Sequence, residues 1–400
     1  MFLSDRVKTL KPSPTLAMSA KAGKMKAEGI DIINLSVGEP DINTPKEACD
    51  FAVKAMQEGK TKYTPVDGTV SLKKAIQHKF KQENGLDFEL DEIFVSSGAK
   101  QAIFNGFAST LDKGDEVIIP APYWVSYSDI VELFDGAPVI VKTKTENNFK
   151  LTAKELEGAI TPKTKWLLIN SPSNPTGQVY LEEELKAIAE VLKKHTHVYV
   201  MSDDIYEHLT FDGVKFKNIL NVAPELSERV FVINGVSKSY SMTGFRIGYG
   251  AMKNKQFIKT LVNLQSQSTS NASSISQEAS LGALTKCDYF LTQIKEVMEK
   301  RRDYMFNELS LIPQIKINKP SGAFYLFFDI TALYGKKTPE GLVLKNDVEV
   351  AEYFLTFGKV ATVFGSAFGY PDFIRISYAV SDEMLKQSVI RLKNAINSLV

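Results

Sequence analysis

Cysteine is nearly absent, with 2 in 400 residues, Cys49 and Cys287. They have no metal-ligand spacing and cannot form a disulfide scaffold, so a reducing compartment is the expected setting. An excess of either charge is missing too. Lys+Arg 48 against Asp+Glu 47 leaves a net charge of +1, without the basic surplus that polyanion binding usually shows. No nucleic-acid partner is expected. No apolar run reaches the roughly 18 residues of a membrane-spanning helix, and Met1-Phe2-Leu3-Ser4-Asp5-Arg6 has no apolar stretch of signal-peptide length. The expectation is a cytoplasmic protein with no membrane partner. Familiar catalytic templates are also lacking. There is no GxxxxGK[ST], no GxGxxG opening a helix and no HExxH, and no metal site is expected. Gly235-Val236-Ser237-Lys238-Ser239 lacks the last Gly of a serine elbow. SxxK at Ser71/Lys74 and Ser97/Lys100 stands without a KTG partner.

What is present is an ordinary globular composition, 44% hydrophobic and 24% charged. A chain this long buries about 75% of its unfolded surface and is expected to divide into two domains. Near-continuous apolar runs recur at Glu116-Val117-Ile118-Ile119, Trp166-Leu167-Leu168-Ile169, His197-Val198-Tyr199-Val200-Met201 and Val230-Phe231-Val232-Ile233. Such runs suit strands covered on both faces. Helical stripes lie between them, as from Leu181 to Lys194 with Leu185, Ile188, Val191 and Leu192 on one side. The alternation predicts an α/β fold, a large domain with a mostly parallel sheet flanked by helices. After about residue 290 the pattern changes to a smaller α+β domain. It has helices over Glu296 to Leu309, Val348 to Phe357 and Asp382 to Leu399, with strands at Ala323 to Phe328 and Arg375 to Tyr378. The expected division is 46–290 for the large domain, with 1–45 and 291–400 forming the small one. The stretch around residues 11–14 is too short to fold alone and should pack on the small domain.

In open α/β sheets ligands sit beyond the carboxyl ends of the strands. Several polar groups follow predicted strands there: Ser96-Ser97-Gly98-Ala99-Lys100, Asn170 through Gly177, Ser202-Asp203-Asp204-Ile205-Tyr206, and Asn234 through Lys238, then Gly244-Phe245-Arg246. Small residues opening a helix make an anion site. Taken singly, each has a plainer reading: a Gly/Ser cap, a solvated lysine, or Asp204 capping the next helix. Together, an anion cradle, Lys, Arg, Asp and Tyr suit pyridoxal phosphate, whose chemistry needs an amine nucleophile, a carboxylate for the ring nitrogen and a phosphate grip.

The run Gly235-Val236-Ser237-Lys238-Ser239-Tyr240-Ser241-Met242-Thr243-Gly244-Phe245-Arg246-Ile247-Gly248 resembles the cofactor-lysine motif of the class I, fold type I aminotransferases. Ser36 to Asp41, Lys62 to Pro65, Pro122 to Trp124, Asn174 to Gly177 and Ser202 to Tyr206 match in family order, and the resemblance is greatest to the bacterial aspartate aminotransferases, some of which accept prephenate. It implies that Lys238 carries pyridoxal 5′-phosphate and moves the proton, and that Asp203 pairs with the ring nitrogen. At about 3 Å and an effective dielectric near 20, such a pair is worth roughly 5 kcal/mol. It further implies Tyr206 and Asn174 at the ring oxygen and Trp124 on the ring face. Gly98, Ala99, Lys100, Ser237 and Arg246 would hold the phosphate, with Tyr63 reaching it from the other subunit of a homodimer with shared active sites. The family often has a Ser where this chain has Gly235.

For substrate, the resemblance implies Arg375 and Gly38 at the α-carboxylate, an arginine fork suiting a carboxylate better than a lysine does. Read from its strand alone, Arg375 is equally an edge charge. Lys100, with Ser13 and Thr15 of a lid segment, would take the distal carboxylate; the region from Gln265 to Asn271 holds no Arg. The expected reaction moves the amino group of aspartate to 2-oxoglutarate. Transfer to aromatic amino acids or prephenate, a β-lyase reaction and a non-catalytic regulator are the alternatives, the last lacking any spare basic helix-turn-helix. A cis bond is expected at Ser171-Pro172 or Asn174-Pro175.

Overall fold

The computed structural model describes residues 2, 4–8, 10 and 12–400; Met1, Leu3, Thr9 and Lys11 lie outside them. A 7-stranded sheet carries the first half of the fold. Its strand order is Ile93–Ser96, Gly248–Ala251, Val230–Gly235, Tyr199–Asp203, Thr164–Asn170, Glu116–Ala121, Ala137–Lys142. Gly248–Ala251 runs antiparallel to both neighbours and the other pairings are parallel. The continuous apolar runs have a direct cause. Leu167, Ile169, Val200 and Val232 enter one core, whereas Trp166, Leu168, Met201, Phe231 and Ile233 enter another on the opposite face. Each strand therefore needs apolar residues at both parities. Helix Ala99–Ala108 buries Ala102, Ile103 and Phe107 on the second face, and Glu182–Lys194 buries Leu185, Ile188 and Leu192 on the first.

The second unit is a 4-stranded antiparallel sheet in the order Val363–Phe364, Phe373–Ser377, Tyr325–Asp329, Lys316–Ile317. Helix Asp347–Thr356 packs on it, and helix Asp382–Asn397 packs on that helix. The early strand Ile33–Asn34 pairs in parallel with Val360–Ala361, and helix Pro14–Ala27 packs on the same region. Two expectations shift. The helix expected from Glu296 begins eight residues earlier, as Asp288–Ser310, because Phe290, Ile294 and Met298 continue its buried stripe. Asp204 caps no helix. Its carboxylate accepts from Ser202 Oγ at 2.7 Å and from Asn218 Nδ2 at 2.5 Å inside the core. Both Ser171-Pro172 and Asn174-Pro175 are cis, as is Ala121-Pro122. Among the described residues no helix is long and apolar enough to cross a membrane.

One contact fixes the edge where the cleft opens. A β-carbon on Gly248 would stand 2.1 Å from Ala99 N and 2.4 Å from the carbonyl carbon of Gly98. The antiparallel strand therefore lies directly against the turn that starts helix Ala99–Ala108. Gly248→Ala should cost about 1–3 kcal/mol, the usual range for overpacking against a rigid neighbour, seen as an earlier urea midpoint. An unchanged midpoint would mean that strand and turn are not held together this closely.

Candidate active site

A cleft of about 250 Å³ opens at the carboxyl edge of the large sheet and is lined from both units of the fold. Asp203 and Asn170 end neighbouring strands, Asn174 follows the second of them, Trp124 and Tyr127 follow a third, and Lys238 sits just beyond Val230–Gly235. Gly248–Ala251 runs the other way, so its entry rather than its exit lies at this edge, which brings Arg246 into the wall. The second unit contributes Tyr325 and Arg375; the N-terminal segment contributes Ser13, Thr15 and Gly38.

Three charged groups here are held by neutral dipoles. Asp203 is buried, and Tyr127 Oη donates to its Oδ2 at 2.6 Å. Burial pushes this carboxyl up to about 6; the Tyr127 bond and Lys238 work against the rise. Lys238 Nζ donates to the Gly38 carbonyl at 2.7 Å. Burial brings its ammonium down to about 8, opposed chiefly by Glu39. Arg375 is 2% exposed, and among the described residues no acid forms an ion pair with it. Its Nη1 donates to Asn174 Oδ1 at 3.2 Å and its Nη2 to the Ser36 carbonyl, while Nε has no partner. A buried guanidinium with an unused donor and no ion-pair partner has the chemistry to accept a carboxylate.

The anion end is built from the start of helix Ala99–Ala108. Gly98 precedes it with φ 88°, and a β-carbon there would lie 2.3 Å from Arg246 Nη2, so only glycine lets the guanidinium approach the bare N–H groups. Lys100 Nζ sits 4.7 Å from the centroid of the Trp124 ring. Its surroundings lower its pKa, first by desolvation and then through the Arg246 charge. A β-carbon on Gly235 would stand 2.9 Å from the Ile247 carbonyl oxygen, so the serine common at this place has no room. Behind the cleft, Ser239 Oγ and His208 Nδ1 are 2.8 Å apart, and His208 Nε2 lies 2.8 Å from Glu83 Oε2. Asn234 Nδ2 donates to Glu207 Oε1 at 2.7 Å. These bonds brace the loop of Lys238 against that of Tyr206. Glu83, Glu207 and His208 are close enough to hold a cation, but Lys79 Nζ is already bonded to Glu207.

Of the residues expected at the site, the cleft gathers Ser13, Thr15, Gly38, Ala99, Lys100, Trp124, Asn174, Asp203, Tyr206, Lys238, Arg246 and Arg375. Gly98 stands just behind Arg246. Ser237 is buried beside Lys238 and lies outside the lining, and Tyr63 is 91% exposed and also outside the lining.

A family model described as aminotransferase class I and II matches residues 30–392. The chain belongs to the class I and II aminotransferases. This aminotransferase is 52% identical over 398 residues to a probable aspartate/prephenate aminotransferase of Rickettsia bellii, covering 100% of both chains. It is 46% identical over 396 residues to an aspartate aminotransferase of Rhizobium meliloti, covering 99% of this chain and 96% of that one. The crystal structure of the Rhizobium meliloti aspartate aminotransferase matches with a TM-score of 0.97 at 46% identity, covering 100% of both chains. That of the Thermus thermophilus enzyme with maleate matches at 0.92 and 39% identity, covering 99% of this chain and 100% of that one.

Two tyrosines in the wall of the aminotransferase, Tyr127 and Tyr325, were not expected there from the sequence. Tyr127 stands in the first turn of helix Ser126–Leu133, three residues after Trp124, and the two rings meet edge to face with centroids 5.2 Å apart. The Asp203 carboxyl gives a pH-dependent prediction. Its folded pKa of about 6 lies above the usual 3.8, so ionising it costs the cofactor-free fold about 3 kcal/mol. The cost is absent below the unfolded value, grows as pH rises through the interval and is complete above about 6. Asp203→Asn should therefore stabilise the cofactor-free chain at pH 8 and leave it near the parent at pH 3.5. Equal stability differences at both pH values would contradict this.

Proposed function

We propose that the chain is a pyridoxal 5′-phosphate enzyme that moves the amino group of aspartate to 2-oxoglutarate, giving oxaloacetate and glutamate, as a cytoplasmic homodimer. The observation that carries the reading is that Asp203 and Arg375, both buried, and Lys238, half-buried, face one cleft, each hydrogen-bonded to neutral groups. Their chemistry fits the cofactor and an amino acid together. A phosphate suits the bare N–H groups at Gly98, Ala99 and Lys100 with Arg246 beside them. A protonated ring nitrogen suits Asp203, and a carboxylate suits the unused Nε of Arg375. Once bound, the cofactor supplies a carbonyl that captures amines and a ring that accepts the electrons left at the α-carbon.

The residues divide the remaining work. Lys238, titrating near 8 rather than 10.5, has roughly 300 times the neutral amine of an ordinary lysine near pH 7. It can therefore attack a carbonyl and later carry the α-proton. Asp203 is mostly ionised at that pH, and a cation beside it would drive its pKa down further. Tyr127 keeps its carboxylate aimed. Tyr206 and the amide of Asn174 would donate to the ring oxygen, Trp124 would cover the ring face, and Ser237 would support the phosphate turn. Arg375 fixes the α-carboxylate beside Gly38. Lys100 with Ser13 and Thr15 takes the distal carboxylate.

The division at 46–290 against 1–45 and 291–400 puts Arg375 on the small domain and Lys238 on the large one. Substrate would thus draw the two together and exclude water, with the segment of Ser13 and Thr15 as the lid. Tyr63, exposed on its own subunit, suits a residue that serves the phosphate of the other copy. A second reading, transfer to prephenate, is favoured by Lys100 lying over the Trp124 face. There the cleft offers a cation and an aromatic surface to one substrate, and the Rickettsia bellii relative's name includes that substrate.

Comparing kcat/KM for aspartate and phenylalanine tests the substrate reading. Lys100→Ala should lower the aspartate value about tenfold to a hundredfold, the worth of one charged hydrogen bond, and leave phenylalanine nearly unaffected. An unchanged aspartate value would remove Lys100 from acidic recognition.

A further inference from the structure

The reaction outlined above gives the wall residue Tyr325 no task. Tyr325 opens the strand Tyr325–Asp329 opposite Ser377, while Phe327 of the same strand opposes Arg375. With two-residue spacing, Tyr325 and Arg375 share a face of the small sheet. The Arg375 guanidinium lies 4.7 Å from the Tyr325 ring centroid and 5.1 Å from that of Phe368. At its other end, the Tyr325 hydroxyl meets the Tyr206 hydroxyl at 2.7 Å, and both residues are buried. A β-carbon on Gly38 would stand 2.2 Å from Tyr325 Oη, so the hydroxyl lies directly against the segment whose carbonyl holds Lys238. One rigid ring thus touches the carboxylate-binding arginine on the small domain and a cofactor-facing phenol on the large one.

We propose that Tyr325 is a positioning residue that passes the charge state of Arg375 to the hydroxyl of Tyr206, and through it to the proton affinity of the Lys238 nitrogen in the cofactor-loaded enzyme. The proposal rests on the reading above, in which Arg375 takes the substrate α-carboxylate and Tyr206 donates to the cofactor ring oxygen.

Two phenols in contact share one hydrogen bond, and the more acidic one donates it. Burial raises the pKa of both. At Tyr325, Arg375 is the chief influence working against that rise; at Tyr206, burial, Tyr325 and Asp203 all raise it and outweigh the opposing pull of Arg375. An unpaired Arg375 therefore makes Tyr325 the donor and leaves the proton of Tyr206 for its other neighbour. When a carboxylate neutralises Arg375, Tyr325 donates less strongly, Tyr206 becomes a weaker donor to the ring oxygen, and the Lys238 nitrogen binds its proton more tightly. The other charged groups facing this cluster are Asp203 on its strand, Glu39 beside Gly38 and Arg246 before the antiparallel strand. None of them is the site of the α-carboxylate.

The test is an absorbance titration of the cofactor-loaded enzyme against pH, with and without saturating maleate as a non-reacting dicarboxylate. In the parent, maleate should raise the midpoint. Tyr325→Phe keeps the ring under Arg375 and removes only the hydroxyl. The maleate-induced shift should then shrink to less than about half, kcat for aspartate should fall about tenfold, and KM should hold within about twofold, the loss being that of one hydrogen bond made beyond the binding step. Tyr325→Leu removes the ring as well, and KM should rise too. A shift of parental size in Tyr325→Phe overturns the proposal, as does a raised KM with kcat unchanged. Failure of the functional reading has a different signature, a parent enzyme with no titrating band and no response to maleate, and it would remove the proposal with it.

Discussion

Charge buried without an opposite charge is the constraint around which the cleft is organised. Several ions buried elsewhere are paired, although the buried carboxyls of Asp204 and Asp347 are also held by neutral donors. Arg302 is surrounded by Asp212, Glu299 and Asp303, and Lys79 by Glu83 and Glu207. In the cleft, Arg375 is given an amide oxygen, a carbonyl and two aromatic rings, Lys238 a carbonyl, and Asp203 a phenol. An unpaired buried ion costs several kcal/mol, and the displaced pKa values of Asp203 and Lys238, about 6 and about 8, are the same cost expressed as protons. The fold carries this strain because two cores and a closely packed sheet edge outweigh it. A ligand bearing a carboxylate, a cationic nitrogen and a carbonyl relieves all three groups at once.

The same constraint explains why the wall is drawn from distant parts of the chain. A single sheet edge provides lysine, acid and anion cradle, but not a carboxylate fork on the facing side. That fork comes from the second sheet, carried on the strand Phe373–Ser377 and steadied by the residues around Gly38. The Gly38 segment is itself tied to the lysine loop by Glu39 with Thr243 and by Thr44 with the Ser241 carbonyl, and to the long helix by Asp41 with Arg301. The segment that steadies Arg375 therefore also ties the second sheet to the lysine loop.

Much of this was legible in the residues. Strands buried on both faces declare themselves by near-continuous apolar runs, and all four runs picked out in the sequence fall on strands of the large sheet, the one from His197 starting two residues before its strand Tyr199–Asp203. The lysine run through Gly248 is equally distinctive, since the close approach of strand and turn tolerates no side chain at 248. What stayed hidden depends on tertiary proximity. Tyr325 reads as one more aromatic in an apolar strand until Tyr206 is placed against it. Asp204 reads as a helix cap until Ser202 and Asn218 are seen around it. The start of the long helix at Asp288 was missed because its first turns carry a buried stripe with few of the charges that marked the rest. The crowding at Gly235 likewise comes from the neighbouring strand, which its own sequence does not reveal.

The central claim is that one amine, Lys238 Nζ, is the group that captures the cofactor carbonyl. Borohydride reduction of the protein loaded with pyridoxal phosphate, followed by proteolysis and mass mapping, addresses it directly. The account predicts a single modified peptide with the added mass on Lys238, and no labelling of Lys100 or Lys79. A label on another lysine, or none on any, would contradict it.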